Sequence, residues 1–233
     1  MKYAFITGAG RGLGKGFVDY LLEQDYFVFA GVREIKDDYK NKENLEYVVC
    51  DISSDDSIQK CFETISSKTN GLDLIINNAG VNKDSVTNGH KEKVSELKDL
   101  DRKLILEMFS VNSISPVIIT QKFLSILKSN PCFVVNISSC RASTHDEFES
   151  GYPNYGYASS KSALNMMTFR LSKELPKNIK TFAVHPGSVK TDMNQQGDQT
   201  PYDQAKNILD ITKNWKDKFN GKFMNWNGKE YLL

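Results

Sequence analysis

Cysteine is scarce and poorly spaced for metal or redox work. The 233 residues hold four (Cys50, Cys61, Cys132 and Cys140), and none form a CxxC pair. Spacing leaves disulfide pairing open, and four free thiols in a reducing cytoplasm is the simpler reading. Histidine is equally sparse, with three in the chain. His145, beside Asp146 and Glu147, lacks metal-ligand spacing and partners, so no metal site is expected. No single-sign charge excess exists: 30 Lys+Arg stand against 29 Asp+Glu, a net charge of +1. That balance excludes a basic nucleic-acid glove and an acidic solvating tail. No run reaches the ~20 consecutive apolar residues of a membrane span. The N-terminal apolar run passes straight into a glycine-rich turn without a cleavage site, so no signal peptide is expected and the location is read as cytoplasmic. Repeats, low-complexity tracts and linker-like shifts are missing too, so residues 1–233 read as one domain.

What is there alternates. Short β-branched runs at 2–6, 26–32, 47–49, 72–76, 132–137 and 179–184 are separated by helix-period stretches. Helices are expected through Phe17, Val18, Leu21 and Leu22; through Ile58, Phe62 and Ile65, capped by Ser54 or Asp55; over 101–128, with Pro116 bending or breaking the run; through Ala158, Leu164, Met167 and Leu171; and near 202–214. Met166 and Met167 read as core. Residues 81–99 and 138–154 read as polar loops, and 222–233 as a short terminal segment. Such βαβα order predicts an α/β, doubly wound parallel sheet with helices on both faces, a Rossmann-type arrangement.

The first strand ends in Thr7-Gly8-Ala9-Gly10-Arg11-Gly12-Leu13-Gly14. Glycines between a strand and a helix permit a tight turn and close backbone approach to a pyrophosphate, which the helix N-terminus then attracts. The second strand ends in Arg33, where an NAD site usually carries an acid about 20 residues beyond the glycines. Arg33 with Arg11 makes a clamp suited to a 2′-phosphate, which favours NADP(H) over NAD(H). Asp51-Ile52 follows the third strand. Asp51 either accepts from an adenine amino group or serves as a turn and capping residue. Asn78-Ala79-Gly80 closes the fourth strand at the carboxyl edge, where small residues let the backbone approach a ribose.

Tyr157 and Lys161 stand four apart, on one helix face. An ammonium near a phenol lowers a pKa that is otherwise about 10. Ser139, at the end of the preceding strand, is placed to hydrogen-bond a carbonyl oxygen as charge develops on it. Asn112 lies mid-helix, where its amide can break the ladder and hold a water near Lys161. Tyr152 and Tyr155 are rival tyrosines, but neither has a Lys four residues on.

Assembled, these pieces resemble the short-chain dehydrogenase/reductase family. They are Thr7-Gly8-x-x-x-Gly12-x-Gly14, Asp51, Asn77-Asn78-Ala79-Gly80, Asn112, Ser139, Tyr157-x-x-x-Lys161, and Pro186-Gly187 with Thr191. The resemblance implies Asn112, Ser139, Tyr157 and Lys161 as the catalytic set. It implies Gly8, Gly10, Arg11, Gly12, Leu13, Gly14, Arg33, Asp51, Ile52, Asn78, Ala79, Gly80, Tyr157 and Lys161 at the cofactor, with Pro186, Gly187, Val189 and Thr191 toward the nicotinamide. Segments 185–193 and 221–228 resemble the carbonyl-reductase branch that includes C-factor and sniffer-like proteins. The Ser139-to-Tyr157 interval exceeds the family's usual spacing, which places an insertion at 140–156 over the substrate pocket. The implied activity is NADP(H)-dependent reduction of a small carbonyl compound to an alcohol, without nucleic acid or membrane, by a monomer or a homo-oligomer joined through the long helices. A cofactor-binding signalling module with incidental turnover is the alternative, and an intact Ser139, Tyr157 and Lys161 speaks against it.

Overall fold

A computed structural model describes residues 1–82, 97–145, 155–192 and 194–233. Most of the 81–99 loop lies outside the described residues, as do Tyr152, Met193 and the part of the 140–156 insertion that carries Asp146, Glu147 and Glu149.

Seven parallel strands form one sheet: β1 (Lys2–Thr7), β2 (Tyr26–Val32), β3 (Leu45–Val49), β4 (Leu74–Asn77), β5 (Cys132–Ile137), β6 (Ile179–His185) and β7 (Phe223–Asn225), in the order β3-β2-β1-β4-β5-β6-β7. The central strands are apolar on both faces because helices cover both. On one side α1 (Gly12–Glu23) and α6 (Pro201–Lys213) bring Phe17, Leu21, Ile208 and Leu209 against Val28 and Val184. On the other, α2 (Asp55–Ser66) and α4 (Ser115–Phe123) bring Ile58, Ile65, Ile119 and Phe123 against Phe5, Phe29 and Val134. The Phe5 and Phe123 rings stack with centroids 4.9 Å apart. Chain order reverses between β1 and β4, so a crevice opens at their carboxyl ends, where ligands bind in such sheets.

Ser54 is the α2 cap, its hydroxyl accepting from Ser57 N at 3.3 Å. The expected fourth strand shifts to 74–77. Asn77 belongs to it because its amide donates to Asn136 Oδ1 across the ladder at 2.8 Å.

The long helical run is four pieces: α3 (Arg102–Phe109), a π-helical turn (Ser110–Ile114), α4 and a 3-10 turn (Leu124–Ile126). The break expected at Pro116 therefore falls one turn earlier. A proline at 116 cannot donate to the carbonyl of residue 112 and crowds it, so the distortion centres on Asn112. The Ser115 hydroxyl also lies 2.8 Å from Ser110 O, across the widened turn. The stretch Arg102–Ile126, which holds a window of mean hydropathy 1.3, is long and apolar enough by composition to cross a membrane. Here its Met108, Ile119 and Phe123 are buried inside the fold.

α5 (Tyr155–Glu174) carries the Tyr-Lys pair. Met166 is 56% exposed on it, so the methionine pair is not core as expected. The pattern there follows Leu164, Asn165 and Thr168 inward instead.

Candidate active site

A cleft of about 1370 Å³ runs along the carboxyl edge of the sheet. Its floor is the turn between β1 and α1. Gly8 takes φ +65°, a backbone open to glycine at little strain. Gly14 is held by space: a Cβ there would lie 2.2 Å from Gly8 O. Asn78 clamps this turn to β4, its Nδ2 donating to Thr7 O at 2.9 Å and Gly8 O at 3.2 Å. The Thr7 hydroxyl accepts from Asn78 N at 3.1 Å and Ala79 N at 3.0 Å. Asn78 thus shapes the glycine turn, and its amide nitrogen is already committed.

Every residue assigned to the cofactor from the sequence lines this cleft: Gly8, Gly10, Arg11, Gly12, Leu13, Gly14, Arg33, Asp51, Ile52, Asn78, Ala79, Gly80, Tyr157, Lys161, Pro186, Gly187, Val189 and Thr191. Ser139 lines it as well. A glycine floor, with Arg11, Arg33 and Lys36 on the walls, fits a dinucleotide. The details of the two arginines differ. Arg11 already pairs with Asp192 at 3.0 Å, across the mouth from the loop after β6. Arg33 is exposed and helps hold Asp51 below the usual carboxylate range. The main cause of that lowering is Ser53, whose hydroxyl and amide both donate to Asp51 Oδ1, at 2.7 and 3.0 Å. Asp51 is therefore a turn residue that also faces the cleft.

At the far end, Ser139 starts a short 3-10 turn (Cys140–Ala142) and accepts from Arg141 N at 3.3 Å. Burial pushes the Tyr157 phenol above its ordinary 10.0, and a hydrogen bond with the Ser139 side chain pulls it back. Cys140 adds to the rise and Arg141 opposes it. Burial is the largest of these effects, and Lys161 is not among them. The ammonium lies 5.8 Å from the Tyr157 ring centroid, and its Nζ donates to Ile137 O at 2.7 Å. Lys161 is 4% exposed, and burial brings its pKa down to about 8.

Asn112 does not line the cleft. It sits behind it, 1% exposed. Its Oδ1 accepts from Val81 N at 2.8 Å, and its Nδ2 donates to Val81 O at 2.8 Å and Ser160 Oγ at 3.0 Å. Both amide hydrogens are spent on these bonds. A water near Lys161 must use Oδ1 or the backbone carbonyl that Pro116 leaves without its α-helical donor. Asn112 Oδ1 and Lys161 Nζ do converge: they lie 3.2 and 3.5 Å from where a Gly80 Cβ would be.

Sequence reasoning missed several lining residues, among them Lys36, Tyr39, Ser53, Glu107, Asp192 and Asn194. Most sit on loops with no motif. Tyr39 carried the one usable signal, an aromatic amid a charged loop.

The chain matches the family model for short chain dehydrogenases over residues 2–201. It is 30% identical over 201 residues to a benzil reductase, (S)-benzoin forming, of Saccharomyces cerevisiae, covering 82% of this chain and 73% of that protein. Among solved structures, the NADPH-bound carbonyl reductase from chicken fatty liver superposes with a TM-score of 0.87 at 28% identity, over 100% of this chain and 99% of that one. The carbonyl reductase Sniffer of D. melanogaster gives 0.87 at 27% identity, over the full length of both chains. The resemblance to the carbonyl-reductase branch, drawn from segments 185–193 and 221–228, agrees with these neighbours.

Proposed function

The chain belongs to the short-chain dehydrogenase family, and we propose that it is a cytoplasmic NADP(H)-dependent reductase of small ketones, aldehydes or diketones, with Tyr157 as the proton donor. The observation that carries this reading is the Ser139–Tyr157 hydroxyl pair at one end of the glycine-floored cleft, with the Lys161 ammonium buried beneath it.

Bound dinucleotide would supply the hydride; the chain supplies everything else. Gly8, Gly12 and Gly14 with the α1 N-terminus seat the pyrophosphate. Arg33, and Arg11 once released from Asp192, meet the 2′-phosphate. Ser139 donates to the substrate oxygen and stabilises charge as it builds there. Tyr157 then delivers its proton to that oxygen. Burial raises the phenol, so the proton to be delivered is in place at neutral pH. Lys161, with a pKa of about 8, is mostly cationic there and stabilises the phenolate that the departing proton leaves on Tyr157. Asn112 is a positioning residue: it ties Val81 and Ser160 so that Lys161 is held under Gly80.

The yeast relative's name, a benzil reductase, makes aromatic diketones a rational first substrate class. NADPH consumption with benzil, simple aldehydes and quinones tests the proposal. Wild type is expected to turn over at least one class, and Tyr157→Phe none. Unchanged turnover in Tyr157→Phe would refute the assignment. Tight NADPH binding without any turnover would favour the signalling alternative.

A further inference from the structure

The loop between β2 and β3 carries Tyr39, which no motif assigns. Tyr39 N donates to Lys36 O at 2.9 Å, so the loop folds back on itself. The ring stacks on Tyr47 of β3, with centroids 4.6 Å apart and planes 9° from parallel. The hydroxyl then reaches the glycine turn and donates to Gly10 O at 3.3 Å. Contact is close enough that a Cβ on Gly10 would lie 2.1 Å from the Tyr39 hydroxyl oxygen. Ala9 N donates to Gly31 O at 3.0 Å, which holds the glycine turn against the end of β2. Tyr39 therefore packs against Gly10, the chain neighbour of Arg11, and Arg33 lies two residues beyond Gly31. All three side chains line the same cleft, as does Lys36.

Resting on the dinucleotide reading above, we infer that Tyr39 is a specificity-determining residue whose hydroxyl recognises the 2′-phosphate of NADP(H). Its present bond to Gly10 O is a long one between neutral groups. An O–H donated to a phosphate oxygen is charge-assisted, shorter and roughly twice as strong. Exchanging Gly10 O for phosphate is thus favourable, and the Tyr47 stack fixes the ring so that little side-chain freedom is lost. NADH offers no phosphate at that point, so the hydroxyl contributes nothing to its affinity. The same contact gives Gly10 a second role: the residue is small because the phenol lies against it.

Calorimetric titration of wild type and Tyr39→Phe with NADPH, NADH, adenosine 2′,5′-bisphosphate and adenosine 5′-monophosphate is the test. Phenylalanine keeps the stack on Tyr47, and a matching circular dichroism spectrum checks the fold. Tyr39→Phe is expected to weaken NADPH and the bisphosphate by about tenfold, the value of one charge-assisted bond, and to leave NADH and the monophosphate unchanged. Equal weakening of all ligands, no change in any, or tighter NADPH binding would overturn the inference. Wild type that binds NADPH, with Tyr39→Phe matching it, removes only the role of Tyr39. Wild type that binds neither dinucleotide removes the parent reading as well.

Discussion

Replacing Lys161 by methionine tests the site through its energetics. Burial lowers the ammonium from its ordinary 10.5 to about 8. At about 1.4 kcal/mol per unit, a charged Lys161 costs the folded state about 3 kcal/mol at neutral pH. The methionine variant escapes that cost but strands Ile137 O, an acceptor whose desolvation is worth about 1–3 kcal/mol. Near neutrality the two nearly cancel, with the variant slightly the more stable. The pH dependence is sharper. Between about 8 and 10.5 the unfolded lysine binds more protons than the folded one, so wild-type stability gains with rising pH from this group. Methionine has no such gain. The stability of Lys161→Met minus that of wild type should therefore fall by about 2–3 kcal/mol from pH 7 to pH 10. Urea melts of both proteins at the two pH values measure it, and other titrating groups cancel in the difference. A difference that stays constant, or grows with pH, would refute the claim that Lys161 is buried and charged.

Further outcomes follow from the same geometry. Ser139→Ala removes the group that pulls the Tyr157 phenol down, so the rise in alcohol oxidation with pH should move to higher pH, and kcat should drop by about two orders of magnitude; a pH–rate profile reads both. Gly14→Ala drives a methyl to 2.2 Å from Gly8 O, so NADPH binding should be lost in a titration. Asn112→Ala strands the Val81 amide and carbonyl, and chemical melts should report a loss of about 2–4 kcal/mol. Asp192→Asn breaks an exposed ion pair, so thermal stability should hardly change, while NADPH binds more tightly because Arg11 is released.

Much of this was legible in the chain. Strands such as 26–32 and 132–137 announce themselves because both faces are buried, which writes an unbroken apolar run. The glycine turn and the Tyr157–Lys161 pair are also local, since each depends on neighbours within one turn of backbone. What the sequence hid depends on contacts between distant segments. Pro116 marked a break, but its effect falls four residues earlier, at Asn112, where Val81 and Ser160 finish the site. Burial raises the Tyr157 phenol, and desolvation is a property of the whole surroundings that no four-residue spacing reveals. Arg11 reads as a free phosphate ligand until Asp192, far along the chain, is seen to hold it. Met166 was misplaced because periodicity does not reveal which face of α5 meets the sheet.

The central claim is that this cleft passes hydride to a carbonyl carbon while Tyr157 protonates its oxygen. Mass spectrometry of the alcohol formed from benzil or a simple aldehyde with NADPH deuterated at the transferable position tests it most directly. Wild type should place deuterium on the carbinol carbon of at least one product, and Tyr157→Phe should yield no labelled alcohol. Label arriving equally in the two proteins, or in neither while NADPH binds, would contradict the account.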